Sequence, residues 1–270
     1  MYFLKAIIDI VIILLLLRIL IKPGEASFNQ LFNLLFRITD PILKPSRNLI
    51  RHEIKAIILT VLCLVVLRGF VFMYIGPMSW IVGAGYSFLS LFQLLFRFYM
   101  VIWFVSVLTR YSHGVSFISV LQRAFIPLNI VSRRLGISMR HFNVFSFLSI
   151  WILYSLLSFL IHSFLLPGSI LSSFSILHAL AEGLILIIGL FPGFFSLVII
   201  AGALLSWVSP DPYNPIVQVI YGISEPFLVP FRRIVPNLGG LDISPIIALL
   251  CFQIIGRLGQ QLVAGLLGIL

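Results

Sequence analysis

Apolar residues occur in this chain in two rhythms, and each rhythm predicts a different kind of helix. Near-continuous apolar runs of spanning length cover roughly 4–21, 56–75, 97–110 with the apolar stretch before it, 143–166, 193–208 and 244–267. Elsewhere the apolar positions thin out to a helical period. Phe28, Leu31, Phe32 and Leu35 fall at i, i+3, i+4 and i+7, with Asn29, Asn33 and Arg37 on the opposite face. Ile216, Val217 and Ile220 form a similar stripe opposed by Asn214 and Gln218. Segments of this kind predict short helices lying in the headgroup plane, apolar face down. The expected fold class is all-α: a polytopic integral membrane protein of six spans, in three units of span, interfacial helix and span.

The two amphipathic segments are aligned copies of each other. Residues 28–47 and 213–232 share six identical positions, among them Asn29/Asn214, Pro41/Pro226, Pro45/Pro230 and Arg47/Arg232. Thr39/Ser224 and Asp40/Glu225 keep their chemical character. A fainter middle copy covers 117–134 and sets Pro127 over Pro226 and Arg133-Arg134 over Arg232-Arg233. It has Ile126 in place of the acidic residue and Val131 in place of the second proline. Self-similarity of this kind marks a tandem array. The expected units are repeat one at 1–75, a degenerate repeat two at 81–166 and repeat three, with the full motif, at 176–270.

Proline lacks an N–H and disfavours helix just before it, so Pro41, Pro127 and Pro226 are expected to stop or bend the amphipathic helices. In the third copy Asp211-Pro212 reads as an N-cap followed by proline at the first helical position. Gly239-Gly240 permits a tight turn, and Ser244-Pro245 starts the last span. Copies two and three follow apolar stretches longer than one upright span, interrupted at Arg97 and at Pro192-Gly193. Those breaks predict outer-face helices or shallow hairpins at 81–96 and 176–191, the alternative being one long tilted helix each.

Composition strengthens the membrane reading. Hydrophobic residues make up 61% and charged residues 10%, with a mean hydropathy of +1.17, which excludes an ordinary soluble domain. Net charge is +10, and its placement carries more information. Thirteen Lys and Arg fall in 22–55, 110–142 and 209–243, against none in 76–85 and 167–175. By the positive-inside rule the three basic segments are expected to be cytoplasmic, with both termini outside. Anionic headgroups, rather than nucleic acid, are the expected partners of this charge. The first run lacks a small-residue cleavage site and reads as a retained helix. Cys63 and Cys251, inside apolar runs, are expected to be buried small hydrophobes.

Residues Trp207 to Pro245 carry a long signature. It contains Trp207, Pro210, Asp211, Pro212, Asn214, Pro215, Glu225, Pro226, Pro230, Arg232, Arg233, Gly239, Gly240, Asp242, Ser244 and Pro245. The stretch closely resembles the motif of the YggT (YlmG-like) family, small membrane proteins that usually have two copies of the unit. The first-copy counterparts are Asn29, Asp40, Pro41, Pro45 and Arg47; the middle-copy ones are Pro127, Arg133 and Arg134. The resemblance implies a multi-pass protein of the bacterial inner membrane or of plastids. It further implies roles in membrane-protein or envelope organisation, septum and plastid biogenesis and osmotic tolerance, without a defined molecular activity.

Catalytic patterns are not found. No pair of histidines one turn apart encloses a glutamate, and His52, His113, His141, His162 and His178 have no ligand spacing. No nucleophile elbow is present. Gly239-Gly240-Leu241-Asp242 faintly resembles an intramembrane aspartyl protease motif but lacks a second spanning aspartate, and reads as a turn. No catalytic, cofactor or metal site is expected. His178 and Glu182, one turn apart, either share a proton or ion or sit at the outer interface. Lys5 and Asp9 read as an interfacial pair, and Arg18 as a side chain able to snorkel. Glu225 with Arg232 and Arg233 is the constellation that carries the main expectation, since a carboxylate in a poorly hydrated layer must be paired. It either locks the turn or binds a ligand, and in both cases builds a rigid cytoplasmic platform. The expected function is a non-catalytic scaffold or assembly factor. Its expected partners are anionic lipid and an unidentified membrane or cytoplasmic protein. The alternative is a channel or transporter in osmotic response.

Overall fold

The computed structural model describes residues 2–25, 29–75, 79–109, 116–166, 174–208, 211, 214–234 and 242–266, without the side chains of Tyr2, Pro23, Ile75, Ser116, Ile118, Trp207 and Pro215. Among the described residues the structure is helical and contains no strand. The helices are α1 (Tyr2–Leu20), α2 (Gln30–Leu49), α3 (Glu53–Ile75), α4 (Trp80–Leu108), α5 (Ser116–Gln122), α6 (Ile126–Arg134), α7 (Phe142–Leu165), α8 (Ile176–Ile188), α9 (Ser196–Val208), α10 (Pro215–Ile234) and α11 (Ser244–Leu266). Five stretches are long and apolar enough to cross a membrane: Glu53–Tyr74, Trp80–Leu108, Phe142–Leu165, Ile176–Ser206 and Ser244–Leu266. α1 has the length as well but carries Lys5, Asp9 and Arg18. The protein is a multi-pass membrane protein. On α3 the exposed positions Ile54, Ile58, Leu62, Val66 and Phe70 are all apolar, as a lipid-facing surface requires.

Two expectations about the long apolar stretches change. Residues 81–96 form no separate outer-face helix, because α4 runs unbroken for 29 residues. At 1.5 Å per residue that is roughly 43 Å, longer than the hydrocarbon core, so the alternative of one long helix holds. Arg97 lies inside it, on an exposed face. Residues 176–206 are likewise one apolar stretch of spanning character. The break foreseen at Pro192-Gly193 is present as a π-helical turn, Phe191–Phe195, between α8 and α9.

The chain divides into two compact units, Met1–Phe98 with Ile152–Ala179, and Tyr99–Trp151 with Leu180–Leu270. In the first, α1, α2 and α3 pack together. Leu15, Leu43 and Ile57, one from each helix, form a buried cluster, and Ile8, Ile12, Val65 and Leu91 form another. A buried hydrogen bond of 2.7 Å from Thr60 to Ser46 ties α3 to α2. In the second unit, Ile199, Leu228 and Ala248 join α9, α10 and α11. Around them Phe104, Phe191, Phe195, Phe227 and Phe252 make a chain of ring contacts with centroids 4.6–5.7 Å apart.

The prolines do not end the amphipathic helices as expected. α2 runs through Pro41 and Pro45, and α10 through Pro226 and Pro230, each for 20 residues. Two prolines at i and i+4 forgo hydrogen bonds on one strip of the helix. In α2 that strip is exposed, while Phe32, Leu35, Thr39, Leu43 and Ser46 bury the other side. The missing donors therefore face outward and the packed face holds the helix together. Pro127, by contrast, stands in the first turn of α6, where its missing N–H costs nothing. The middle copy is accordingly broken into α5, a 3₁₀ turn at Arg123–Phe125, and α6. Gly136, at φ 69°, ends α6 with bonds from Gly136 N–H to Arg133 and from Ile137 N–H to Ser132. Cys63 is exposed on α3 and Cys251 half-buried, so neither is the buried small hydrophobe expected. Position along an apolar run does not say which face of the helix meets lipid.

Candidate functional site

The first copy gathers charge around α2. Asn29 caps the helix, its side-chain oxygen accepting from Leu31 N–H at 2.9 Å. Arg18, near the end of α1, is buried and reaches into α2 rather than snorkelling outward. Its guanidinium donates to Thr39 Oγ1 at 2.5 Å, to Asp40 Oδ1 at 2.8 Å, to the Phe36 carbonyl at 3.3 Å and to Glu53 Oε1 at 3.1 Å. It also lies over the Phe36 ring at 4.0 Å. Arg47, seven residues after Asp40, donates to Asp40 and Glu53 at 3.0 Å each. Two cations and two carboxylates thus join the end of α1, the middle of α2 and the start of α3.

The third copy repeats the outer half of this arrangement. Asn214, not Asp211, caps α10: its side chain accepts from Ile216 N–H at 2.9 Å, and Pro215 is the first helical residue. Asp211 is exposed, and its carbonyl accepts from Asn214 N–H. Asn214 wins because its alignment with Asn29 puts the same amide before the same turn. Arg232 donates to Glu225 at 2.5 Å and to Asp242 at 2.7 Å. Asp242 Oδ1 in turn accepts from the Ser244 N–H at 2.9 Å and hydroxyl at 2.5 Å, capping α11, whose second residue Pro245 is buried. Asp40–Arg47–Glu53 and Glu225–Arg232–Asp242 are therefore the same device, an arginine held between its own helix and the next span. Burial pulls Asp242 upward, but the bonds from Ser244 and Arg232 outweigh it and hold its carboxyl below the usual range. Burial likewise lowers Arg232, and its two carboxylates more than restore it, leaving it above its ordinary value.

Arg233 does not join Arg232. It is exposed and touches no carboxylate among the described residues, as do Arg133 and Arg134 of the middle copy. Pro210, Pro212, Gly239 and Gly240 lie outside the described residues, and with them the expected glycine turn; so do the side chains of Trp207 and Pro215. Where α1 meets α2 through Arg18, α9 meets α10 through Gly202, on which a Cβ would stand 2.8 Å from Ser224 Oγ. The Ser224 hydroxyl is buried and has no hydrogen-bond partner among the described residues.

A second cluster lies deeper and was not foreseen. Arg68, fully buried on α3, donates to Asp9 Oδ1 on α1 at 2.6 Å. It also donates to the Ser87 carbonyl of α4 at 2.6 Å and to the Ser87 hydroxyl at 3.3 Å. Asp9 therefore pairs with Arg68 and not with Lys5, whose amine stands 5.7 Å over the Phe72 ring instead. Helical spacing favoured Lys5, but a buried arginine has the stronger need for an anion. Small residues permit the reach: a Cβ on Gly69 would stand 3.7 Å from Ala84 Cα, and one on Gly83 3.1 Å from the Gly69 carbonyl. His178 is engaged locally, its Nδ1 accepting from the Ser175 hydroxyl at 2.7 Å and N–H at 3.2 Å. No group of three or more metal-ligating side chains occurs among the described residues.

The family model described as CCB3/YggT matches residues 181–263, which hold α10, the Glu225–Arg232–Asp242 cluster and most of α11. This part of the chain is a YggT-family domain. An uncharacterised protein of Pseudomonas aeruginosa is 42% identical over 93 residues, 34% of this chain and 47% of that one. The Escherichia coli protein named YggT is 40% identical over 58 residues, 22% and 30% of the two chains. A Haemophilus influenzae relative is 36% identical over 69 residues, 26% and 38%. The match thus spans less than half the length of each relative. No solved structure matches the chain. Within the YggT-matched stretch the sequence reading missed a second seam. Gln253 donates to the Pro192 carbonyl at 2.9 Å and Gln260 to that of Ile185 at 3.1 Å. Gly256, between them on the same face of α11, receives the Pro192 ring. The i, i+3, i+7 spacing of Gln253, Gly256 and Gln260 was the available signal.

Proposed function

We propose that the chain is a non-catalytic scaffold or assembly factor of the bacterial inner membrane, with its basic segments on the cytoplasmic side. In this reading α1 is a sixth span, because its charges at Asp9 and Arg18 are met by Arg68 and by Asp40 with Glu53. The three units of span, interfacial helix and span then present α2, the middle copy and α10 at one face. The observation that carries the proposal is the division of labour between adjacent arginines. Arg232 is fixed between two carboxylates, and Arg233 beside it is left exposed. A frame that rigidifies one guanidinium and offers the next suits recognition of a partner's anionic surface or of lipid headgroups.

The test is site-specific photo-crosslinking in cells from exposed Val229 or Ile234. A discrete adduct lost in Arg233→Ala, at unchanged protein level, supports the scaffold; adducts indifferent to Arg233 count against it. The channel or transporter reading has one observation in its favour, the Arg68–Asp9 pair, since charge among spans often marks a conduction path. That reading requires solute or ion flux in proteoliposomes, changed by Asp9→Asn. The burial of Arg68 and its bonds to Asp9 and Ser87 favour no flux.

A further inference from the structure

The second unit contains a cavity of about 350 Å³ between the end of α4, the α5–α6 segment and the start of α7, a volume within the range of small-molecule sites. Trp103, Phe125, Ile126 and Phe142 supply its apolar wall. Two further lining groups, Ser106 Oγ and Asn129 Oδ1, are buried and have no hydrogen-bond partner among the described residues. Each such buried atom is unfavourable unless a guest completes it. Ser106 offers a hydroxyl that can donate, and the Asn129 oxygen calls for a donor.

The surroundings specify the guest's charge. Residues 110–142 contain five arginines and no carboxylate. Arg133 follows Asn129 by one turn on α6, on the face that Ile126 and Asn129 present to the cavity, and it is exposed. Arg140, also exposed, follows the lining residue Met139. Both α4 and α7 are spans, and α7 leaves the cavity with exposed apolar positions at Val144 and Leu148. The required guest has an anionic head, hydroxyl donors and carbonyl acceptors beneath it, and a long apolar remainder.

We propose that this cavity seats the head and glycerol backbone of one anionic phospholipid of the phosphatidylglycerol type. Its phosphate lies toward Arg133 and Arg140, its hydroxyls and ester carbonyls complete Asn129 and Ser106, and its chains run along α7. The middle copy, having lost the acid and second proline of the motif, holds lipid where the other copies hold an ion pair. This rests on the basic segments facing anionic lipid, and the experiment separates the two.

Purified full chain is exchanged into detergent at high salt with phosphatidylglycerol, phosphatidylcholine or glycerol 3-phosphate, and retained molecules are counted by native mass spectrometry. One phosphatidylglycerol per chain is expected, with phosphatidylcholine and glycerol 3-phosphate not retained. Asn129→Leu, and separately Ser106→Val, should reduce retention about tenfold at equal or higher melting temperature. Undiminished retention in both variants overturns the cavity site, and retention of glycerol 3-phosphate assigns it to a soluble phosphate instead. Vesicle flotation supplies the second arm. Preference for phosphatidylglycerol vesicles that survives Asn129→Leu shows the basic face intact while the cavity is judged on retention alone. No preference in the wild-type chain overturns the basic-face reading on which the site depends.

Discussion

The α1–α2 contact and the α9–α10 contact answer one packing problem in opposite ways. The offset that sets Arg47 over Arg232 sets Arg18 over Ala203 and Thr39 over Ser224. In the first unit a long guanidinium fills the space and bonds Thr39, Asp40 and Glu53. In the second unit that side chain is gone, and Gly202 brings the α9 backbone directly against Ser224. The same contrast runs deeper, with Arg68 and Asp9 among the spans of the first unit, and Phe191, Phe195, Phe227 and Phe252 in the second. Guanidiniums give direction and demand partners; rings and glycines give area and close approach.

Thermal unfolding in detergent can break the comparison. Asp9→Leu leaves Arg68 buried without an anion and should cost about 3–5 kcal/mol, with much of it recovered in Asp9→Leu/Arg68→Met. A double variant as unstable as the single would contradict the pairing. Arg18→Ala should cost about 1.5–3 kcal/mol, less because Asp40 and Glu53 remain partly hydrated. Gly256→Ala forces a methyl to 2.6 Å from Pro192 Cδ and should cost about 1–3 kcal/mol in the second unit. At the aligned hydroxyls the signs should differ. Thr39→Ala loses a bond to Arg18 and destabilises, whereas Ser224→Ala removes an unpaired buried group and should be neutral or stabilising. Equal effects would mean the two contacts are not distinct.

Only a small loss is expected at Arg232, more than one-third exposed, where alanine should cost less than about 1 kcal/mol. Its contribution should depend on pH. The Asp242 carboxyl is depressed in the folded chain, so its stabilisation is present above the unfolded carboxylate pKa of about 3.9 and disappears as pH falls through the lower folded value. Wild-type and Asp242→Asn melting temperatures should therefore converge on acidification and separate toward neutrality.

Much of the fold was legible because hydrophobic period reports burial: the stripe through Phe32 and Leu35 is the buried face of α2. The repeated polar positions were legible too, since Asn29 and Asn214 cap, and Asp40, Glu225, Arg47 and Arg232 pair, in aligned places. What escaped was any contact made across long sequence separation. Arg68 stands in an apolar run 59 residues from Asp9, and no local spacing connects them. That α2 and α10 run on through their prolines escaped for a related reason. The effect of proline on a helix depends on which side is packed, and only the tertiary contacts of Leu43 and Leu228 settle that. The cavity beside Asn129 is a failure of packing, which sequence does not display.

The Arg68–Asp9 bond also sets an order of events during biosynthesis. α1 leaves the ribosome before α3, and it carries an aspartate whose counter-ion has yet to be translated. At 5–20 residues per second those 59 residues take about 3–12 s, and Ser87 follows later still. Until then the nascent α1 has good reason to linger at the translocon or the headgroup boundary, and its final seating is timed by the third helix rather than by its own hydrophobicity.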